Sequence, residues 1–300
     1  MKKFFKIKNI LFATAIFLSF VYFPLEARDR HLRIGAIPDQ NQELLDRRFN
    51  LLSKELSRLL DIEVKYVPVI DYVSAVSAFR TKDLDLVWFG GLSGIQARLQ
   101  TPNSFVLAQR DIDKRFRSVF IVNKKINLKT TYNLNDLKLL KGLRFTFGSE
   151  NSTSGRLMPE YFLNNAEVQI KDFRGGRAGY SGSHDATIAL VNSGSFDAGV
   201  LNKQIWERNL DANPKRTKNV KVFFTTPEYR DYHWLVQGDL DSKIFKGCTN
   251  KIKGFFLSLD KNNSSHKQIL LMFNAEKFID SDASQYKEIE SIARKLKKIK

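Results

Sequence analysis

Residues 143–159 read LRFTFGSENSTSGRLMP. The opening run is apolar and β-rich and predicts a strand over Leu143–Phe147, and the helical spacing that follows predicts a helix over Arg156–Asn164. Between them lies Gly148–Gly155, with three consecutive hydroxyl residues, Ser152, Thr153 and Ser154, at the helix start. Side-chain O–H groups, unpaired backbone N–H groups and the positive end of the helix dipole then point at one spot. One reading is simple N-capping by a single Ser or Thr. The other is a site that holds a tetrahedral oxyanion without a bulk positive charge, and three hydroxyls ahead of a glycine favour it. The stretch is not a GxxxxGK[ST] phosphate loop.

Strand and helix alternate on either side. Upstream, strands are predicted over His31–Ile37, Glu63–Val69, Leu84–Phe89 and Phe105–Ala108, and helices over Leu44–Leu60, from Asp71 to Phe79 and over Gly94–Leu99. This pattern predicts an α/β layer with a mostly parallel sheet. After a β-rich run at Arg117–Asn123 the alternation restarts and continues through strands Asp197–Leu201 and Val220–Thr225. Helices are expected there over His184–Asn192 and Lys203–Arg208. A strand over Tyr232–Gln237 precedes a mainly helical remainder. The expected organisation is two α/β lobes, with the chain crossing near residues 120 and 230. Residues 28–119 plus 232–300 form the first lobe and 120–231 the second. Two crossing strands make a hinge, and a cleft between such lobes is a common ligand site. Trp88 and Trp206 are expected in the core, and Tyr232-His233-Trp234 at the hinge or cleft.

The chain has 300 residues, 43% hydrophobic and 27% charged, with a formal charge of +17. Disorder is excluded by the apolar content. The basic residues are scattered, apart from Arg294–Lys300, and read as solvated surface rather than a nucleic-acid footprint. The single cysteine, Cys248, excludes an intramolecular disulfide and any Cys-based zinc module. At the N-terminus Lys2, Lys3, Lys6 and Lys8 precede an apolar run from Ile10 to Phe23, which is too short to span a bilayer comfortably. Pro24 and a small residue, Ala27, follow. Residues 1–27 therefore read as a secretory signal peptide cleaved near Ala27, which places the mature protein in the periplasm. No cysteine follows the run, so a lipoprotein anchor is excluded.

A second chemical candidate is Tyr180-Ser181-Gly182-Ser183-His184-Asp185-Ala186. Ser183 suits an N-cap and puts His184 in the first helical turn, where its ring can donate to an oxyanion; a bound anion would favour the charged form. An exported Ser/His hydrolase of phosphate or carboxylate esters is the alternative. It lacks a GxSxG elbow, and Asp185, adjacent to His184, points elsewhere on a helix. The four histidines at 31, 184, 233 and 266 match no metal-binding spacing.

The ordered strings WFGGLSGIQARL (88–99), AQRDID (108–113), FTFGSENSTSGRLMP (145–159) and YSGSHDATIALV (180–191), with Asp71-Tyr72 before and Asp197-Ala198-Gly199 after, carry a resemblance. Together they resemble the phosphate/phosphite/phosphonate-type periplasmic substrate-binding proteins of ABC importers, and look closest to a subgroup often labelled selenate-binding. The resemblance covers residues 31–280. It implies a type II-like periplasmic binding fold, two Rossmann-like lobes joined by a two-strand hinge, with a small inorganic or organophosphorus oxyanion held between them. It implies delivery to a membrane permease with its ATPase, and no catalysis, cofactor or metal. Carried over position by position, it assigns the anion to Ser152, Thr153, Ser154 and His184, with Tyr72 as a donor from the first lobe. Phe89, before Gly90, stands where the family commonly has Tyr, which removes a hydroxyl and leaves an apolar wall suited to P–H or P–CH₃; conversely, a site whose donors outnumber its acceptors prefers a fully deprotonated anion such as selenate or sulfate. Asn202 stands where an acid would hold a ligand amine.

Overall fold

The computed structural model describes residues 31–300. The leader expected over residues 1–27, with its cleavage site, lies outside them. In chain order the first elements are β1 (His31–Ala36), α1 (Gln42–Leu60), β2 (Glu63–Tyr66), α2 (Tyr72–Arg80), β3 (Leu86–Phe89), α3 (Gly91–Gln100) and β4 (Phe105–Arg110). Then come β5 (Ser118–Asn123), β6 (Phe145–Phe147), α4 (Met158–Asn165), β7 (Gly179–Tyr180), α5 (His184–Ser193), β8 (Ala198–Asn202), α6 (Lys203–Ala212), α7 (Pro214–Thr217) and β9 (Val220–Thr225). The chain ends with β10 (His233–Val236), α8 (Leu240–Lys243), α9 (Cys248–Leu257), α10 (Ser264–Phe273), β11 (Phe278–Asp280) and α11 (Lys287–Lys295).

Two sheets result, ordered β11-β4-β10-β3-β1-β2 and β7-β6-β8-β5-β9. Neither is mostly parallel, contrary to the expectation from the alternation. Only β1–β2, β1–β3, β6–β7 and β6–β8 pair in parallel. The reason is the double crossing: β10 returns from the second lobe and inserts antiparallel between β3 and β4. In the second sheet β5 enters from the first lobe and runs antiparallel to both β8 and β9. The outgoing passage spans residues 111–117 and the return 226–232, so β5 already begins ahead of the boundary expected at residue 119. The two passages pair with each other: Phe116 and Tyr229 exchange both backbone hydrogen bonds, at 2.8 and 3.0 Å. A paired two-strand hinge concentrates the bending on few residues.

The C-terminal segment completes the first lobe. It contains one strand the sequence pattern did not suggest, β11, which pairs with β4 at the sheet edge. Trp234 stacks on Phe256 with centroids 5.0 Å apart, and Trp88 packs edge-on against Phe273 at 5.4 Å. Trp88 and Trp206 are both buried. Such aromatic pairs add about 0.5–1.5 kcal/mol each beyond the area they bury, so the tail is integral to the lobe. Among the described residues no helix is long and apolar enough to cross a membrane.

Candidate functional site

Four helix starts meet where the lobes touch. Each follows a strand or loop at the carboxyl end of a sheet, the usual ligand edge of such layers. In the second lobe, β6 leads through Gly148–Ser152 into a π-type turn over Thr153–Leu157 that runs into α4. Pro159 has no N–H and so cannot bond the Gly155 carbonyl in the ordinary helical way. That carbonyl instead accepts the Gly148 N–H at 2.8 Å, folding the turn back on its own strand. Ser152 caps the turn, its Oγ accepting from the Gly155 N–H at 2.9 Å. A Cβ on Gly155 would lie 3.0 Å from Ser152 Oγ and 3.3 Å from the His184 ring, so the close approach needs glycine. Ser152, Thr153 and Ser154 are all buried.

α5 supplies His184. Ser183 is its N-cap, accepting from the Ala186 N–H at 3.3 Å. The His184 Nδ1 accepts the Asn202 N–H at 3.4 Å, and Nε2 faces Ser154 Oγ at 3.5 Å. Burial lowers the pKa of this imidazole, more than the nearby Asp39 charge raises it. With Nδ1 accepting a backbone N–H, the Nε2 carries the proton and is a donor aimed at the hydroxyls. Asp185 does not orient it: its two oxygens accept from Asn41 N–H at 2.8 Å and Asn209 Nδ2 at 2.9 Å. Asp197 is committed to Arg144 at 2.6 Å. No Ser-His-Asp relay is formed at His184, and the hydrolase alternative loses its support.

The first lobe closes over this surface. Asp71 caps α2, accepting from Ser74 N–H at 2.7 Å, and sets Tyr72 in the first turn. Tyr72 is buried beside Ser152, whose hydroxyl favours the ionised phenol, but burial pushes its pKa well above the ordinary value, so its hydroxyl remains a donor. α3 begins at Gly90, which has no side-chain cap. Its unpaired N–H groups are instead taken across the cleft. Leu92 N–H donates to Thr153 Oγ1 at 2.9 Å and Gly91 N–H to Asp231 Oδ1 at 3.0 Å. A Cβ on Gly90 would lie 3.2 Å from both oxygens, which explains a glycine where the lobes meet. The Phe89 ring, just before, is buried and packs edge-to-face on Phe79 at 5.8 Å. Asn202 caps α6 through its side-chain oxygen and turns Nδ2 toward the Tyr232 hydroxyl at 3.4 Å.

Ser152, Thr153, Ser154, His184, Tyr72 and Gly90 are thus brought together and Asn202 lies beside His184, while the Phe89 ring, expected as an apolar wall of the site, packs on Phe79 in the first-lobe core. Sequence reading missed Asp231, in the return passage. It is buried, and burial raises its pKa to about 7 against the opposing hydrogen bond from Gly91. Thr153 and Ser154 hydroxyls favour its charged form, yet Oδ2 has no partner at hydrogen-bond distance. Nothing in the local pattern marks this acid. Its neighbour Tyr232 donates to Asp39 Oδ2 at 2.8 Å, and Ser118, the first residue of β5, bonds both Ser154 O and the Tyr229 hydroxyl.

The chemistry is therefore a buried, donor-rich cluster where the two lobes meet, with the Asp231 carboxylate set in it. Residues 34–286 match the family described as ABC transporter, phosphonate, periplasmic substrate-binding protein. The chain belongs to this family. It is 63% identical over 296 residues to a probable ABC transporter phosphite binding protein of Prochlorococcus marinus (strain MIT 9301), covering 99% of this chain and 100% of that one. It is 27% identical over 267 residues to the phosphonates-binding periplasmic protein of Escherichia coli (strain K12), covering 85% of this chain and 74% of the relative. A solved structure of the Prochlorococcus marinus protein in complex with methylphosphonate superposes with a TM-score of 0.89 at 67% identity, covering 90% of this chain and 100% of that one. Like other family members, this chain is a substrate-binding protein of an ABC importer, not an enzyme.

Proposed function

We propose that the protein captures a small phosphorus oxyanion carrying one proton, phosphite or a short phosphonate, between its lobes and delivers it to a membrane permease. Asp231 carries the proposal. A carboxylate with one free oxygen, set among hydroxyl, imidazole and backbone donors, needs a partner that can give it a proton. Phosphite, methylphosphonate and phosphate monoanions each carry a P–O–H group that does so; sulfate and selenate at neutral pH carry none. An unpaired buried acceptor costs roughly 1–3 kcal/mol, and repulsion between Asp231 and an unprotonated oxyanion adds to that. This argues against the selenate reading of the sequence. The remaining oxygens would be held by Ser152, Thr153, Ser154, the His184 Nε2–H and Tyr72, with Gly90 allowing close approach. Phe89 brings no hydroxyl to the end of β3, which suits an anion with one P–H or P–CH₃ substituent. The likeness to the phosphite binder and to the methylphosphonate complex supports the same ligand class.

The lobes would open and close about residues 111–117 and 226–232, giving a first lobe of about residues 28–119 plus 232–300 and a second of 120–231. Residues 1–27 would be removed on export, which N-terminal sequencing of the periplasmic protein checks. The deciding experiment is a thermal-shift panel on ligand-stripped mature protein with phosphite, methylphosphonate, 2-aminoethylphosphonate, phosphate, sulfate and selenate. A ligand at a hundred times its Kd stabilises by about 2.7 kcal/mol. Phosphite or methylphosphonate should give the large shift. Equal shifts with sulfate and selenate would overturn the assignment of Asp231.

A further inference from the structure

Beside the hydroxyl site, with Asn202 and Tyr232 in its lining but none of Tyr72, Ser152, Thr153, Ser154 and His184, lies a cavity of about 310 Å³ between the lobes. Its charged lining consists of Arg48, Arg110 and Arg208 with Asp39, Glu207 and Asp211. These groups are not equivalent. Glu207 and Asp211 are exposed at the mouth, Glu207 paired with Lys203. Asp39 receives the Tyr232 hydroxyl. Arg110 is neutralised by Asp113, outside the cavity, at 2.6 Å, and Arg208 donates to Gln40. Arg48 is different. It is only 7% exposed, its Nε has no hydrogen-bond partner, and its guanidinium lies over the Phe273 ring at 5.2 Å. Desolvation pushes its pKa down to about 10 although Asp39 pulls the other way.

A buried guanidinium with an unsatisfied Nε is costly unless something accepts from it. What it offers the cavity is the planar fork of N–H donors that carboxylates match with two parallel hydrogen bonds. From this we infer that the Arg48 cavity is a second binding site, for a carboxylate group, distinct from the oxyanion site. Arg48 comes from the first lobe, and Arg208, Gln204 and Ile205 face it from the second. An occupant therefore touches both lobes and stabilises their closed arrangement. By linkage it strengthens oxyanion binding, and the oxyanion strengthens carboxylate binding by the same factor. The inference uses the proposed oxyanion site only for this coupling; the site itself stands on the cavity and Arg48.

The carboxylate can be free or can be the far end of a longer phosphonate, and two arms separate these sources. In the first, thermal shifts of the mature protein are measured with acetate at constant ionic strength, with and without methylphosphonate, and methylphosphonate is titrated with and without acetate. In the second, 3-phosphonopropionate is compared with methylphosphonate. The expected result is a shift with acetate alone and an acetate-dependent gain of about fivefold or more in methylphosphonate affinity; or, for a tethered carboxylate, a similar gain confined to 3-phosphonopropionate. Arg48→Met should abolish whichever gain is seen and leave methylphosphonate affinity in plain buffer within twofold. Arg48→Lys keeps the charge without the fork and should restore only part of it. No gain in either arm, or a gain that survives Arg48→Met, overturns the second site. Failure of methylphosphonate to bind at all would instead strike the oxyanion reading, and the shift with acetate alone still decides the Arg48 site.

Discussion

The Asp231 carboxylate caps a helix that is 140 residues distant in sequence: its Oδ1 accepts the Gly91 N–H at 3.0 Å, at the start of α3. The contact joins the hinge to the first lobe at the point where Leu92 reaches Thr153 of the second. With the Thr153 and Ser154 hydroxyls it favours the charged acid, but not enough to cancel desolvation, so the pKa is raised to about 7.

Stability of the unliganded protein should therefore depend on pH through Asp231. The unfolded chain releases this proton near its ordinary value of 3.8, and the folded protein only near 7. Between these values the folded state holds more protons, so stability from this group is full below about 4, falls as pH rises, and is flat above 7. The full difference is on the order of 4 kcal/mol. Asp231→Asn should remove that slope and raise Tm at neutral pH, as followed by thermal denaturation across pH.

The same substitution should change ligand preference. Methylphosphonate binding requires one proton shared between ligand and Asp231, so wild-type affinity should fall above pH 7, approaching tenfold per pH unit once both are ionised. An amide in place of the carboxylate can donate to an unprotonated oxygen. Asp231→Asn should lose about tenfold or more for methylphosphonate monoanion and gain sulfate or selenate binding, read by calorimetric titration.

Replacing both Ser152 and Thr153 with Ala removes two hydroxyl donors, one helix-start cap and the acceptor of the Leu92 N–H. The loss should be about 10–100-fold in affinity and only about 1 kcal/mol in stability. Unchanged affinity in a folded double variant would remove these residues from the site.

Gly90→Ala tests closure separately from chemistry. The added methyl meets Asp231 Oδ1 and Thr153 Oγ1 at 3.2 Å, oxygens held at the meeting of the lobes. Gly90 itself has φ −77°, which alanine adopts freely. The variant should fold with near-normal Tm and bind at least tenfold more weakly, because only the closed form suffers the contact. Small-angle scattering should show it more open with ligand present.

At the base of the outgoing hinge passage, Arg110 and Asp113 form a buried ion pair at 2.6 Å. Removing one partner strands the other charge, so Asp113→Ala should cost about 3–5 kcal/mol in denaturant unfolding. Losing Asp113 and Arg110 together, with an apolar replacement for the latter, should cost less than losing Asp113 alone.

Much of this was legible in the residues. The stripe in Gln42–Leu60, the cap at Asp71 and the hydroxyl triple at 152–154 act within a few positions and stand out in the pattern. β7 was not, because two residues, Gly179 and Tyr180, inside a glycine-rich stretch carry no strand periodicity. β11 is three residues in a helical context and exists only because β4 offers an edge. Likewise the antiparallel place of β10 is set by which end of the sheet a returning chain enters.

Local rules were enough for most of the elements and for a helix start dense in hydroxyls. They work because periodicity and capping depend on neighbours along the chain. Which helix starts would face one another, and which acid would sit among them, required the folded molecule. Leu92 meets Thr153 across 61 positions and Gly91 meets Asp231 across 140. Only when those segments pack and exclude water does burial lift Asp231, lower His184 and leave Arg48 with a free donor. Desolvation belongs to the packed site and not to any single stretch of chain, and in the proposed function it is desolvation that would let a row of hydroxyls beside Asp231 read the proton on a ligand.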